Sequence, residues 1–557
     1  MTDNELIKQI MERNRAGKAY RAEHWEPLWE AAGQFVQAQT GSMISGSSRV
    51  DGEKRGMRVY DGTPESAKDI MVAGLYSGWC PDNYKWFRWS TVPLDLSKMA
   101  KVKNWLSACE DITYLAINDS NYGDATFSCF EQQVSFGTGV KYAESSPTKL
   151  LNFQLIDLIE CVFFENEHRI VDTMFRECSL TARNAIARWG VDKMPAEILR
   201  ADESGNKEAP FKFLHAIFPR EDYDTSKRDR LNMPFRSLWI YPEKSLLMNE
   251  GGYRDFPYSV PRMYKQGNER YGRGPAIKAL SDMGVLNQMG ATNLTAGQRM
   301  VEPALQVPDD GYTKAVDLSP GALNFLPQGK GEIKPIVAGL NVPFGLEMQD
   351  RQEKAVQRWF HVDVFLALTM ADSRMTATEI MERKQEKLQL LGPTIGRQKR
   401  EHQDSDLDRI FSILYENNYF PPPPEEVLQY MDRLQTEYTS PLYQAQMRRD
   451  SEAIISVYSK ASMIVQATGR PDALDRLNDD KAMEIISDRE NLPVEVLVDQ
   501  ELASQVRAKR QQQQQAMQQA QASMSAVEAA KSLGQTPMDP GQPNAMTQLM
   551  GMKGGAA

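Results

Sequence analysis

Gly272, Gly274 and Pro275 open the stretch RYGRGPAIKALSDMGVLNQ (270–288), whose apolar spacing predicts a helix. Glycines before a helix can present backbone N–H groups to a phosphate. A phosphate loop, however, requires G-x-x-x-x-G-K-[ST], and no lysine–hydroxyl pair follows Gly274. A dinucleotide fold requires a third glycine at fixed spacing after a strand, and that is missing too. The alternative is mechanical. Pro275 suits the first helical position, where its missing donor is harmless, and Gly272 and Gly274 let the chain turn sharply into it. No cofactor is expected.

Other catalytic patterns are equally absent. There is no H-E-x-x-H, no G-x-S-x-G and no close Cys/His arrangement. Cys80, Cys109, Cys129, Cys161 and Cys178 lie far apart, and their odd number suits a reduced compartment better than a disulfide framework. They read as small buried apolar residues. Asp and Glu are abundant, so two carboxylates could meet in space, but sequence does not show it. The formal net charge of −10 gives no global basic field to recruit nucleic acid, though a mildly acidic wall suits a channel in which tight binding would stall transport. No apolar run approaches the roughly 20 residues that span a bilayer, so no membrane partner is expected. The charged N-terminal helix does not read as a signal peptide.

The elements that position these residues are mainly helical, with an α+β region. Residues 4 to 39 predict helix, with Trp25, Leu28, Trp29, Ala32, Phe35 and Val36 on one apolar face. Residues 64–79 and 96–119 predict further helices. From about 134 to 260 short apolar segments bounded by Pro, Gly, Asn and Asp predict strands, with TARNAIARWG (181–190) as an inserted helix. LIECVFF (158–164) reads as a buried strand. Residues 307 to 343 are rich in Pro and Gly and predict a small β/loop module between helical regions. Helix resumes at 344–367, with Ala355, Val356, Trp359 and Phe360 on one side. Thr376 and Glu379 have capping-box spacing at the start of the next helix. PPPP (421–424) reads as a rigid spacer. Helices are expected at about 440–468 and 479–489. The Gln/Ala-rich 506–533 favours helix but needs a neighbour or copies of itself, and 534–557 reads as disordered.

The order of several blocks resembles the portal, or head-to-tail connector, proteins of short-tailed, T7-like bacteriophages. The blocks are the helix around Trp25 and Trp29, YDGTPESA (60–67), AGLYSGWCP (73–81), SNY (120–122) with FGTGV (136–140), and TARNAIARWG. PYSVPRMYKQGNERYGRGPA (257–276) is the most telling, followed by TATEIMERKQEKLQLLGPTIGR (376–397), EYTSPLYQAQ (437–446) and PDALDRLNDD (471–480). Two places depart from the family: serine is common where Gly274 stands, and QKREHQDSD (398–406) is more polar than the corresponding stretch.

The resemblance implies an α+β, mainly helical portal fold assembled as a ring, typically of twelve copies, at one capsid vertex. Residues 1–262 would form the N-terminal arm and first part of the wing, and 376–490 its second part. Residues 263–306 would carry the approach and first stem helix, 307–343 the clip, and 344–367 the second stem helix. Residues 368–375 would be a channel-facing loop where Asp372, Ser373 and Arg374 meet the DNA backbone. Residues 491–533 would be the crown helix and 534–557 a disordered tail. Arg374 pairing with Asp372 or another neighbour is an equal reading. The implied partners are further copies of the chain, double-stranded DNA without sequence preference, a terminase motor, a tail or adaptor protein at the clip, and major capsid, scaffolding or internal core proteins. The implied location is the virion, with assembly in the host cytoplasm. The rival readings are a metal-dependent DNA-processing enzyme and a virion scaffold or core protein without a channel.

Overall fold

The computed structural model describes residues 3–38, 59–81, 85–91, 99–145, 149–224, 227, 229–302, 305–306, 334–335, 342–369, 396–428, 434–439, 449–468, 477–489 and 500–534. The chain divides into two compact units, Met1–Met447 and Arg448–Ala557. The expected second wing portion, 376–490, runs across that division.

The first unit is α+β. In chain order it contains α1 (Asp3–His24), α2 (Glu26–Val36), α3 (Thr63–Trp79), β1 (Phe87–Thr91), α4 (Ala100–Asp119), α5 (Tyr122–Phe136), β2 (Lys141–Glu144), β3 (Asn152–Leu155), β4 (Cys161–Glu165) and β5 (Val171–Thr181). There follow α6 (Ala182–Trp189), α7 (Ala196–Glu203), β6 (Pro210–Pro219), β7 (Phe235–Tyr241), β8 (Leu246–Tyr253), β9 (Tyr258–Ser259), α8 (Pro275–Lys278), α9 (Leu280–Val301), β10 (Leu305–Gln306), β11 (Lys334–Pro335), α10 (Val342–Trp359) and α11 (Val362–Thr369). A π-helical turn (Lys399–Asp404) then runs into α12 (Ser405–Glu416), followed by α13 (Glu425–Leu428) and β12 (Leu434–Tyr438).

β4 to β8 form one five-stranded antiparallel sheet in sequence order. Its side chains alternate with the two-residue period of a strand. Val162, Phe175, Leu214, Ala216, Leu238 and Ile240 pack with Ile7 and Ile10 of α1, whereas Phe213, Trp239 and Tyr241 pack with Ala182, Ala185 and Ile198 of α6 and α7. α1 is also tied across the sheet: Arg21 donates to the carbonyls of Leu158 (3.1 Å) and Cys161 (2.6 Å), and Asn14 and Lys18 both bond Glu177 at 2.8 Å. A second sheet has the order β3-β2-β9, and β1 pairs with β12. The main core lies between α2, α3, α4, α5 and α12, and is dense in Trp, Phe and Leu.

The sequence reading holds for most of these elements and fails at particular points. LIECVFF divides into a 3-10 turn (Leu158–Glu160) and β4. The expected single helix 344–367 breaks at His361, whose φ of 51° leaves the helical region. Trp359 does not join Val356 and Phe360 inside; it is 41% exposed, whereas both of those are at 0%. The tetraproline is pinned, since the Trp105 indole donates to the Pro421 carbonyl at 2.9 Å. Most of 307–343 lies outside the described residues, as do Thr376, Glu379 and 535–557.

The second unit contains α14 (Arg449–Thr468), α15 (Asp479–Arg489) and α16 (Gln500–Gly534). Tyr458 donates to Asp479 at 2.9 Å, and Arg507 pairs with Asp480. Met517 and Met524 of α16 are both exposed.

Candidate functional site

The turn into α8 is built by three glycines in backbone contact. A Cβ on Gly274 would lie 2.6 Å from the Val134 carbonyl oxygen and 2.7 Å from that of Gln133. One on Gly272 would lie 2.5 Å from the Gly137 oxygen, and one on Gly137, whose φ is +84°, 2.3 Å from the Gly272 oxygen. No side chain fits any of these positions without backbone movement. Thr138 Oγ1 accepts the Gly272 N–H at 2.8 Å, and the Gly137 carbonyl accepts the Met263 N–H at 2.9 Å. The backbone that would have to approach a phosphate instead abuts the last carbonyls of α5. The start of one helix meets the end of another, an arrangement favoured by their opposed partial charges. Pro275 and Ala276 are buried behind it.

Aromatic residues fix the approach to this turn. Tyr271 is fully buried, with its ring 5.5 Å from Trp25, 5.2 Å from Trp29 and 4.6 Å from Phe163. The tryptophan-bearing N-terminal helices thus hold the residue immediately before the glycine turn.

From that turn α9 runs against α10. Gln352 donates to the Asp282 carboxylate at 3.1 Å and to its carbonyl at 3.2 Å, and Trp359 Nε1 donates to the same carboxylate at 2.7 Å. Farther along, Asn293 donates to Gln349 Oε1 at 2.8 Å and to the Gly345 carbonyl at 3.2 Å, and Gln349 reaches back to Asp61 at 3.0 Å. Met283, Leu286 and Gly290 are the buried residues of α9. Val285, Leu294, Val301, Phe344 and Leu346 remain exposed, and a Cβ on Gly284 or Gly297 would meet nothing within 4 Å. The pair is a helical hairpin with exposed apolar side chains. Between α9 and α10 in the chain, β10 pairs antiparallel with β11.

The channel candidates Asp372, Ser373 and Arg374 lie outside the described residues. Sequence reasoning missed a buried polar centre farther along the chain. Within the polar run 398–406 one face is core: Gln398, His402, Gln403 and Asp406 are each at most 2% exposed. Lys141 Nζ lies 2.6 Å from Asp406 Oδ2, 2.9 Å from Thr126 Oγ1 and 3.1 Å from His402 Nε2, and Tyr122 donates to Asp406 at 3.3 Å. The Lys141 ammonium also sits 4.4 Å over the Tyr122 ring. Burial raises the Asp406 carboxyl above its ordinary value against the pull of Lys141. Burial, then Lys141, drives His402 well below the usual imidazole range. Burial pushes the Cys80 and Cys129 thiols up to about 12, which leaves them unreactive. No substrate reaches so enclosed a group, and its chemistry is that of a neutralised internal ion pair. The i, i+4 spacing of His402 and Asp406 was the available signal.

Among the described residues no cluster of His, Cys, Asp and Glu is placed to hold a metal ion, and no helix is long and apolar enough to cross a membrane. Compared with known proteins, the chain is 28% identical over 535 residues to the "Probable portal protein" of Bordetella phage BPP-1, covering 95% of each chain. It is 26% identical over 558 residues to the "Portal protein" of Salmonella phage epsilon15, covering 99% of this chain and 98% of that one. The family described as bacteriophage head to tail connecting protein matches residues 8–497. An end-to-end match of that kind, with a glycine turn that is mechanical and an ion-pair centre sealed from substrate, makes the chain a member of the bacteriophage head to tail connecting protein family.

Proposed function

We propose that copies of this chain, twelve on the family pattern, close into a ring at one capsid vertex, and that the ring conducts the genome and receives the tail. The protein is a structural portal component and not an enzyme. The observation that carries this reading is the similarity to two portal proteins along almost their entire length. The α9–α10 hairpin supports it: its exposed Val285, Leu294, Val301, Phe344 and Leu346, and its open Gly284 and Gly297, suit close packing against neighbouring copies.

In this reading α9 is the first stem helix and 344–367 the second, 307–343 is the clip that docks the tail or adaptor protein, and the wing comes from 1–262 and 376–490. α16 is the crown, pointing into the capsid. Asp372, Ser373 and Arg374 face the channel, where a ring turns one weak phosphate contact per subunit into a belt. Such contacts grip without reading bases. A separate terminase motor supplies ATP hydrolysis, and capsid and scaffolding or internal core proteins surround the wing. The protein resides at the virion portal vertex after assembly in the host cytoplasm. The rival metal-dependent DNA-processing enzyme is disfavoured by the structural character of the family.

Electron microscopy of purified protein, paired with a solution mass, tests the reading. Rings with a central hole and a mass of about a dozen chains are expected. Single compact chains that never close, even when concentrated or within particles, overturn it.

A further inference from the structure

Arg262 is 1% exposed, and every N–H of its guanidinium has an acceptor. Nε donates to Glu401 Oε2 at 3.1 Å, and Nη2 to Glu401 Oε1 at 2.8 Å and to the Arg169 carbonyl at 3.4 Å. Nη1 donates to Glu165 and, at 3.2 Å, to the Arg270 carbonyl. Its backbone N–H adds a bond to Glu401 Oε2 at 2.9 Å. Five side-chain donors are the full complement of arginine, and no other side chain supplies them in one plane.

The acceptors come from separate places. Glu165 ends β4, and Lys265 pairs with it as well. Arg270 lies two residues before Gly272, where a Cβ would stand 3.0 Å from the Arg262 Cβ. Across the same loop Tyr264 and Arg273 exchange backbone hydrogen bonds of 2.7 and 3.2 Å. Glu401 belongs to the π-helical turn, next to His402 of the buried Lys141 group. One guanidinium therefore joins the start of α8 to the turn that leads into α12.

We propose that Arg262 is a mechanical coupler that makes the glycine turn before α8 and the π-helical turn before α12 move as one body, so that displacement of the π-helical turn is passed to the start of α8. A π-helical turn suits this task, because its extra residue changes the direction of side chains on either side. The coupling is intrinsic to one chain and does not depend on ring closure.

Native-state hydrogen exchange on the full chain tests it. Glu401→Gln removes the charge from the π-turn side, where Glu401 bonds Arg262 and pairs with Arg397. The expected result is that amides of 270–278 exchange about tenfold faster together with those of 398–406, while β6 and α1 are unchanged. The reverse experiment, Gly272→Ala, is expected to speed exchange at 398–406. Arg273→Lys, which weakens the Arg273–Glu269 pair within the same loop, serves as control and is expected to act near 269–273 alone. An effect of Glu401→Gln confined to the π-helical turn overturns the proposal, as does a uniform rise over the whole first unit. Should Glu401→Gln fail to fold, Glu401→Asp, which keeps the charge and shortens its reach, is read in the same way.

Discussion

Trp359 and Asp282 join the two helices of the hairpin by a 2.7 Å bond from indole to carboxylate, and the same carboxylate accepts from Gln352. Both bonds are lost in Asp282→Ala. The expected cost is about 1–2 kcal/mol, read as a lower urea midpoint for the first unit. Because Trp359 is partly exposed, its fluorescence is expected to shift before global unfolding.

The glycines of the chain fall into two classes with opposite expected outcomes. Gly274→Ala and Gly137→Ala force a methyl into a facing backbone, and each is expected to cost more than about 2 kcal/mol. Gly284→Ala and Gly297→Ala meet open space in the lone chain and are expected to stabilise its helix by up to about 1 kcal/mol. On the ring reading these same two changes lower ring yield, measured by sedimentation. Improved stability with unchanged ring formation would remove those glycines from the subunit contact.

Glu110 gives a pH dependence. It is buried, accepts the Trp89 N–H at 2.9 Å, and burial pushes its carboxyl up to about 7. Between the ordinary glutamate range and pH 7 the folded chain keeps a proton that the unfolded chain has released. The associated stability is therefore complete below that range and is lost as pH rises through 7, at up to about 1.4 kcal/mol per pH unit. At higher pH both states are ionised and the curve levels off. Denaturant titrations from pH 4 to 9 are expected to show this fall, and Glu110→Gln, which can keep the acceptor, is expected to flatten it.

Lys141 and Asp406 form a buried pair, so their single and double variants should differ in kind. Lys141→Met or Asp406→Leu alone strands a partner and is expected to cost about 3–5 kcal/mol. The double variant is expected to recover much of that loss. A double-mutant cycle on thermal unfolding measures the coupling, and additive losses would mean that the pair contributes nothing as a pair.

The legible parts of this fold were those where type and period agree. The Trp25 and Trp29 face, the inserted helix TARNAIARWG and the short apolar strand KFLHAIFP each state their own environment, and the structure places them accordingly. The glycine turn was legible as mechanics, but not its partner, because Gly137 lies far away in sequence and only the fold brings it to Gly272. The run 398–406 stood out in the sequence only as unusually polar, for a related reason. Polar residues read as surface unless their partners are known, and the partners here, Lys141, Tyr122 and Thr126, come from β2 and α5. The break at His361 carries no Gly or Pro to announce it. Trp359 was expected to pack beside Phe360 by period alone, whereas a carboxylate on the neighbouring helix draws its indole toward the surface.

The short ladder between Leu305–Gln306 and Lys334–Pro335 has a consequence for the stretch it closes. It holds the two ends of the intervening stretch against each other. Doubling the length of a stretch held in that way costs only about 0.6 kcal/mol of closure entropy. On the ring reading, that stretch can therefore change in length at little cost to the two strands that close it.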